Sequence, residues 1–174
     1  LNIGFLSYIL VKMMSESRPG LVHIKTGDGP GKTTSAFGLA LRAAGRGLKV
    51  LIIQFMKKGG YGEIEAVKHV PGIEIRQFGR EGFVDPKEPE DVDVELARKG
   101  LQEAKQAVMS GSYDIVGVDE VVELIKQKPD HVELVLTGRG APKELYELAD
   151  YVTEFVEVKH PWRRGVAGRL GIEY

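Results

Sequence analysis

The stretch Gly27-Asp28-Gly29-Pro30-Gly31-Lys32-Thr33-Thr34 carries the residue types that hold a polyphosphate. Glycines let successive backbone N–H groups turn inward around an anion, and the N-terminus of a following helix adds the positive end of its dipole. In such a loop Lys32 neutralises phosphate charge, and the Thr33 hydroxyl is a hard oxygen donor suited to Mg²⁺ or Mn²⁺. A strand-like run from Leu21 to Thr26 precedes the loop and a helix-like run from Thr34 to Ala44 follows it, the context that phosphate binding requires. A glycine-rich turn before a helix is also a common tight connection, but Gly-Lys-Thr-Thr between strand and helix favours the phosphate reading. The loop is one residue tighter than the usual form, which opens on a glycine at the position held here by Thr26. That departure points away from generic nucleotide hydrolases.

Further candidate residues fall at the ends of predicted strands. Asp119-Glu120 closes an apolar run, and paired carboxylates beside a phosphate loop can hold a divalent cation or orient a nucleophile, although such pairs are also common in solvated turns. Thr137-Gly138-Arg139-Gly140-Ala141-Pro142 ends another strand and opens a helix, so Arg139 either reaches the phosphates or is a surface charge in a glycine turn. Gln54, Phe55 and Lys57 end a third strand, where Lys57 and Lys58 also read simply as solvated charges. His23, His69, His131 and His160 have no ligand partner at zinc spacing.

The elements that must position these groups alternate between strand and helix. Leu48 to Phe55, Ile73 to Gln77, Tyr113 to Asp119, His131 to Thr137 and Tyr151 to Val158 read as strands. The first of these is nearly continuous in apolar residues, as a parallel strand covered on both faces should be. Glu90 to Met109 places Val94, Ala97, Leu101, Ala104 and Val108 on one helical face, with acidic residues in its first turn. Pro142 to Ala149 reads as another helix with proline at its start, and Gly79 to Pro89 as a charged, Gly- and Pro-rich loop. Such alternation predicts an α/β fold with a mainly parallel sheet and function at the carboxyl ends of its strands.

At 174 residues and 43% hydrophobic, the chain has enough apolar sequence for one sizeable core and one domain. A net charge of −1 gives no basic footprint for nucleic acid. There are no cysteines, which excludes disulfides and thiol catalysis and fits a reducing cytoplasm. Leu1 to Val11 is apolar but too short to span a bilayer, and it lacks the basic start and cleavage site of a signal peptide, so neither secretion nor membrane attachment is expected. Residues 1–20 read as an N-terminal extension ahead of a domain over 21–174. Either Met13 or Met14 is the natural start, or the apolar segment is an amphipathic lid over a site or a neighbouring subunit.

In order along the chain, GDGPGKTTSAFGLALRAAGRGLKVLIIQF, FGREGFV, YDIVGVDE, LVLTGRGAPKELYELADYVTEFVEVKHP and the closing GIEY resemble the P-loop ATP:corrinoid adenosyltransferases of bacteria and archaea, from about Gly20 to Tyr174. The resemblance implies a three-layer, RecA-like homodimer that moves the 5′-deoxyadenosyl group of ATP to the cobalt of reduced cob(I)alamin or a related corrinoid, releasing triphosphate. It also implies that ATP lies across the loop in the opposite sense to ordinary P-loop enzymes, with C5′ toward the corrinoid. Carried over by position, Gly27, Asp28, Gly29, Gly31, Lys32, Thr33 and Thr34 bind the phosphates, and Thr33 with Glu120 holds the metal. Phe83 matches an aromatic beneath the corrin ring, where its bulk displaces the axial ligand; a loop anchor is the plainer reading. An electron-donor protein such as a flavodoxin is an implied partner.

The chain departs from that pattern in two places. Some members have a tryptophan two places after the phenylalanine, where this chain has Asp85, and its one tryptophan is Trp162. Members also carry a longer segment after the Asp-Glu pair, whereas residues 121–132 supply only the dozen or so that a parallel crossover needs. A loop there is either deleted or missing from this sequence. Beside the transferase, the residues alone admit a RecA-like ATPase cutting the β-γ bond, with Glu120 as base and Arg139 as sensor, or a nucleotide-dependent binding module without chemistry.

Overall fold

The structure is a computed structural model that describes residues 9–11, 19–81, 89–109, 122 and 125–172. Strand β3 (Val50–Phe55) is buried along its whole length. The pleat sends its side chains alternately to two faces. Leu51, Ile53 and Phe55 pack with Ala97 and Ala104 of α3 (Asp91–Met109) and Leu145 of α4 (Lys143–Tyr146). Val50 and Ile52 pack on the other side with Ala36, Phe37, Ala40 and Ala43 of α1 (Lys32–Ala44) and Val67 of α2 (Gly62–Val67). Strand β5 (Leu134–Thr137) divides in the same way, Leu134 and Leu136 against Val135. Helices on both faces of one sheet make the expected three-layer α/β arrangement.

Among the described residues six strands lie in the order β4-β3-β1-β5-β2-β6, with β1 at Ile9–Val11, β2 at Val22–Thr26, β4 at Ile73–Phe78 and β6 at Tyr151–Glu154. β3 with β4, β2 with β5, and β2 with β6 are parallel pairs. The exception is β1, antiparallel to both neighbours, with Ile9 opposite Gln54 and Val11 opposite Val135. Part of the N-terminal segment expected as an extension therefore lies within the sheet. The run Tyr113 to Asp119 lies outside the described residues.

Several boundaries differ from expectation for visible reasons. β6 stops at Glu154 and not Val158, because the chain at Phe155 leaves the sheet to cross the glycine loop. The six residues of α2 are too few to establish a helical period in sequence. The helix expected over Pro142 to Ala149 is only the single turn of α4, after which Asp150 turns back to accept the Val22 N–H at 2.7 Å.

The amino ends of the strands, opposite the glycine loop, are joined by a polar cluster. Glu133 accepts from the Leu21 N–H at 2.9 Å and meets His23 Nε2 at 2.5 Å, while the His23 ring stacks on Tyr151 with centroids 4.4 Å apart. Burial pushes the Glu133 carboxyl up, but the His23 hydrogen bond, the Leu21 N–H and the nearby charges of His23 and Lys128 outweigh it, leaving the group below its ordinary 4.5. A carboxylate depressed in the folded state contributes stability above its unfolded pKa and loses it as pH falls through the folded value. Glu133→Gln should therefore melt at a lower temperature than the parent chain at neutral pH. The gap should close as pH falls below about 4.5, which thermal melts of both proteins across an acid series would measure.

Candidate nucleotide site

The glycine loop begins where β2 ends. Thr26 is still a sheet residue, paired opposite Glu154, and its hydroxyl accepts the Ala141 N–H at 3.1 Å. The position that opens an ordinary phosphate loop is here occupied in tying β2 to the loop after β5, which explains the tighter turn. Gly138 N–H extends the same tie by donating to the Lys25 carbonyl at 3.0 Å.

The segment after β6 presses on the loop from outside. Phe155 N–H donates to Thr26 O at 2.8 Å, and Gly29 N–H donates to Phe155 O at 2.7 Å. A Cβ on Gly27 would stand 2.4 Å from the Phe155 carbonyl oxygen, and one on Gly29 would stand 2.8 Å from it. Gly27 also has φ 101°, in the left-handed region where a side chain is strained. Glycine is thus required here by backbone contact before any ligand arrives.

Helix α1 opens on Gly31, φ 108°, with no side-chain cap and no acidic residue in its first turn. Among the described residues no side chain caps its positive end, which suits an external anion. Lys32 Nζ folds back to donate to the Gly29 carbonyl at 2.7 Å. Burial lowers the Lys32 pKa first, the Arg139 charge lowers it further, and Asp28 partly offsets both. Lys32, Arg139 and Asp28 therefore share one electrostatic environment. Half-buried Thr33 and exposed Thr34 follow in the same helical turn.

Beside the loop is a cleft of about 260 Å³, lined by Asp28, Pro30, Arg139, Glu157, His160 and Trp162. The C-terminal wall is braced internally. Arg163 Nε donates to Glu157 at 2.7 Å, and the Trp162 N–H donates to His160 Nδ1 at 3.2 Å at the start of the 3₁₀ turn Pro161–Arg164.

The family model for ATP:corrinoid adenosyltransferase BtuR/CobO/CobP matches residues 18–174. The chain belongs to this family. It is 32% identical to a corrinoid adenosyltransferase of Escherichia coli (strain K12), over 92% of this chain and 88% of that protein. A corrinoid adenosyltransferase of Sinorhizobium sp. is 34% identical over 89% of this chain and 80% of its own length. Corrinoid adenosyltransferase CobA of Salmonella typhimurium (strain LT2) is 29% identical over 92% and 88%.

In this adenosyltransferase the fold brings Gly27, Asp28, Gly29, Gly31, Lys32, Thr33 and Thr34 together, with Arg139 close enough to act on the Lys32 charge. Asp119, Glu120 and Phe83 lie outside the described residues. The Phe155–Trp162 cover is a part of the site that the sequence signals only faintly, through threonine at position 26 and the VKHP run. Lys57, open in the sequence between a strand-end site and a solvated charge, is partly withdrawn from water. Lys57 is half-buried, with Nζ 4.7 Å from the Tyr61 ring centroid, and burial, partly offset by Glu63, lowers its pKa. It follows Met56, whose φ of 54° marks a tight strand end. Gln54, named at the same strand end, is fully buried; it accepts from Gln77 at 2.8 Å, and its own amide nitrogen has no partner among the described residues.

Proposed function

We propose that the chain transfers the 5′-deoxyadenosyl group of ATP to the cobalt of a reduced corrinoid, either cob(I)alamin or cob(I)yrinic acid a,c-diamide. The family match over residues 18–174, on a chain whose Lys32, Arg139 and Asp28 converge at a capless helix start, carries this reading. The Co(I) electron pair attacks C5′, a Co–C bond forms, and the C5′–O bond breaks with its electrons leaving on triphosphate. Cobalt is formally oxidised from I to III, so the corrinoid must arrive already reduced. An electron-donor protein such as a flavodoxin would supply that reduction, and the working unit would be a cytoplasmic homodimer.

Little covalent chemistry is asked of the protein, because Co(I) is itself a strong nucleophile. The site must orient C5′ and stabilise charge as it builds on the leaving triphosphate. Lys32, Arg139 and the α1 N–H groups would supply that stabilisation. The Thr33 hydroxyl, a hard oxygen donor in the first turn of α1, fits Mg²⁺, and Thr33 with Glu120 would hold it. Such an ion would neutralise phosphate charge when bound. Phe83 would press on the lower corrin face.

Incubation with ATP, Mg²⁺ and chemically reduced corrinoid tests the reading. It expects a light-sensitive Co–C product and one triphosphate for each corrinoid adenosylated. ADP and inorganic phosphate, formed at the same rate without corrinoid, would instead identify an ATPase. Running both corrinoids in parallel ranks the substrates.

A further inference from the structure

The cleft beside the glycine loop has a composition that does not suit phosphate. Two of its lining residues, Asp28 and Glu157, are carboxylates, which repel a polyphosphate, while Trp162 and Pro30 offer flat apolar surface. Its volume of about 260 Å³ lies just below the ~300–1,000 Å³ of whole-ligand pockets, so it has room for part of a nucleotide and not for a corrin ring. Trp162 is 69% exposed, although its backbone is held by His160 and its neighbour Arg163 is held by Glu157. An indole braced in this way and left uncovered by the described residues is a preformed stacking surface. The bond from Trp162 N–H to His160 Nδ1 also leaves the neutral imidazole's proton on Nε2, where it is a donor.

We propose that Trp162 is the base-stacking surface of the ATP site: the adenine lies on its indole in this cleft, and Asp28 or Glu157 accepts from the ribose hydroxyls. The inference rests on the adenosyl-transfer reading and deepens it by assigning the nucleoside end of ATP. Lys32 and the start of α1 take the triphosphate, and Arg139, which belongs to both the cleft wall and the Lys32 environment, lies at the junction of sugar and phosphate. The C-terminal segment then has two roles, closing the loop through Phe155 and selecting a nucleoside through Trp162.

The chain contains a single tryptophan, so emission excited selectively from tryptophan, and not from the six tyrosines, reports on this residue alone. The experiment titrates the full chain with ATP, adenosine and inorganic triphosphate, following emission and, in parallel, heat of binding. ATP should quench the emission saturably, adenosine should do so at higher concentration, and triphosphate should bind without quenching. Trp162→Leu should weaken ATP about tenfold while leaving triphosphate unchanged, and Trp162→Phe should largely restore ATP affinity. Unchanged triphosphate binding also certifies that the variant is folded.

ATP that binds calorimetrically without altering emission would overturn the assignment and leave adenosyl transfer standing. So would an unchanged ATP affinity in Trp162→Leu. Emission that responds to protein concentration and not to ATP would assign the indole to a contact between copies of the chain. Absence of any ATP binding would overturn both this inference and the transferase reading.

Discussion

Replacing Lys32 with alanine should lower kcat/KM for adenosyl transfer by about a hundred- to a thousand-fold, the effect of removing one preorganised group that stabilises leaving-group charge. Its ammonium already sits inside the loop, 2.7 Å from the Gly29 carbonyl, so ATP has only to displace that carbonyl to gain a charge-assisted contact. The same geometry predicts a pH effect. Burial and the Arg139 charge make the folded lysine easier to deprotonate than an ordinary one at 10.5. ATP affinity should therefore fall as pH rises, beginning below 10.5, and binding on the alkaline side should take up a proton.

Folding stability separates this role from a structural one. A lysine whose pKa is lowered in the folded state opposes folding while it is charged, and that cost disappears only above its unfolded pKa. Lys32→Ala should therefore melt at neutral pH no lower than the parent chain, and single-turnover assays should place its defect in transfer. A large fall in melting temperature with normal kinetics would refute the assignment.

The second large effect is expected at Gly27. Alanine there must adopt φ near 101° and bring its Cβ to 2.4 Å from the Phe155 carbonyl oxygen, a backbone atom that cannot swing aside. Left-handed strain and overpacking together should cost about 2–4 kcal/mol. At roughly 2–4 °C per kcal/mol for a chain of this size, the melting temperature should drop by about 5–15 °C. The loop relieves the clash by moving away from residues 155–156, so ATP binding should weaken as well. Gly38, inside α1 with nothing among the described residues within 4 Å of its missing Cβ, provides the contrast. Gly38→Ala should stabilise by about 0.5–1 kcal/mol and leave ATP binding unchanged. Equal effects at the two positions would mean that the contact with Phe155 does not constrain the loop.

These predictions depend unequally on what could be read before the fold was known. The glycine loop was legible because its chemistry is local: Gly27, Gly31 and Lys32 encode a backbone shape and a charge within one short stretch. The coverage of β3 on both faces was legible too, because a nearly continuous apolar strand and the helical spacing in α3 report burial directly, whereas the like division of β5 was not. The strand Ile9–Val11 was not, since a short apolar run near a chain end carries no sign of which gap in a sheet it fills or in which direction.

By itself, then, the order of residues determined the anion-binding chemistry, the α/β class and the likeness to corrinoid adenosyltransferases. Only the tertiary structure decided that Thr26 spends its hydroxyl on Ala141, that Arg139 acts on Lys32, and that Phe155 to Trp162 closes over the loop. The physical reason is distance along the chain. A loop's own conformation follows from neighbouring residue types, whereas contacts between positions more than a hundred residues apart exist only because β5 and β6 flank β2 in the sheet.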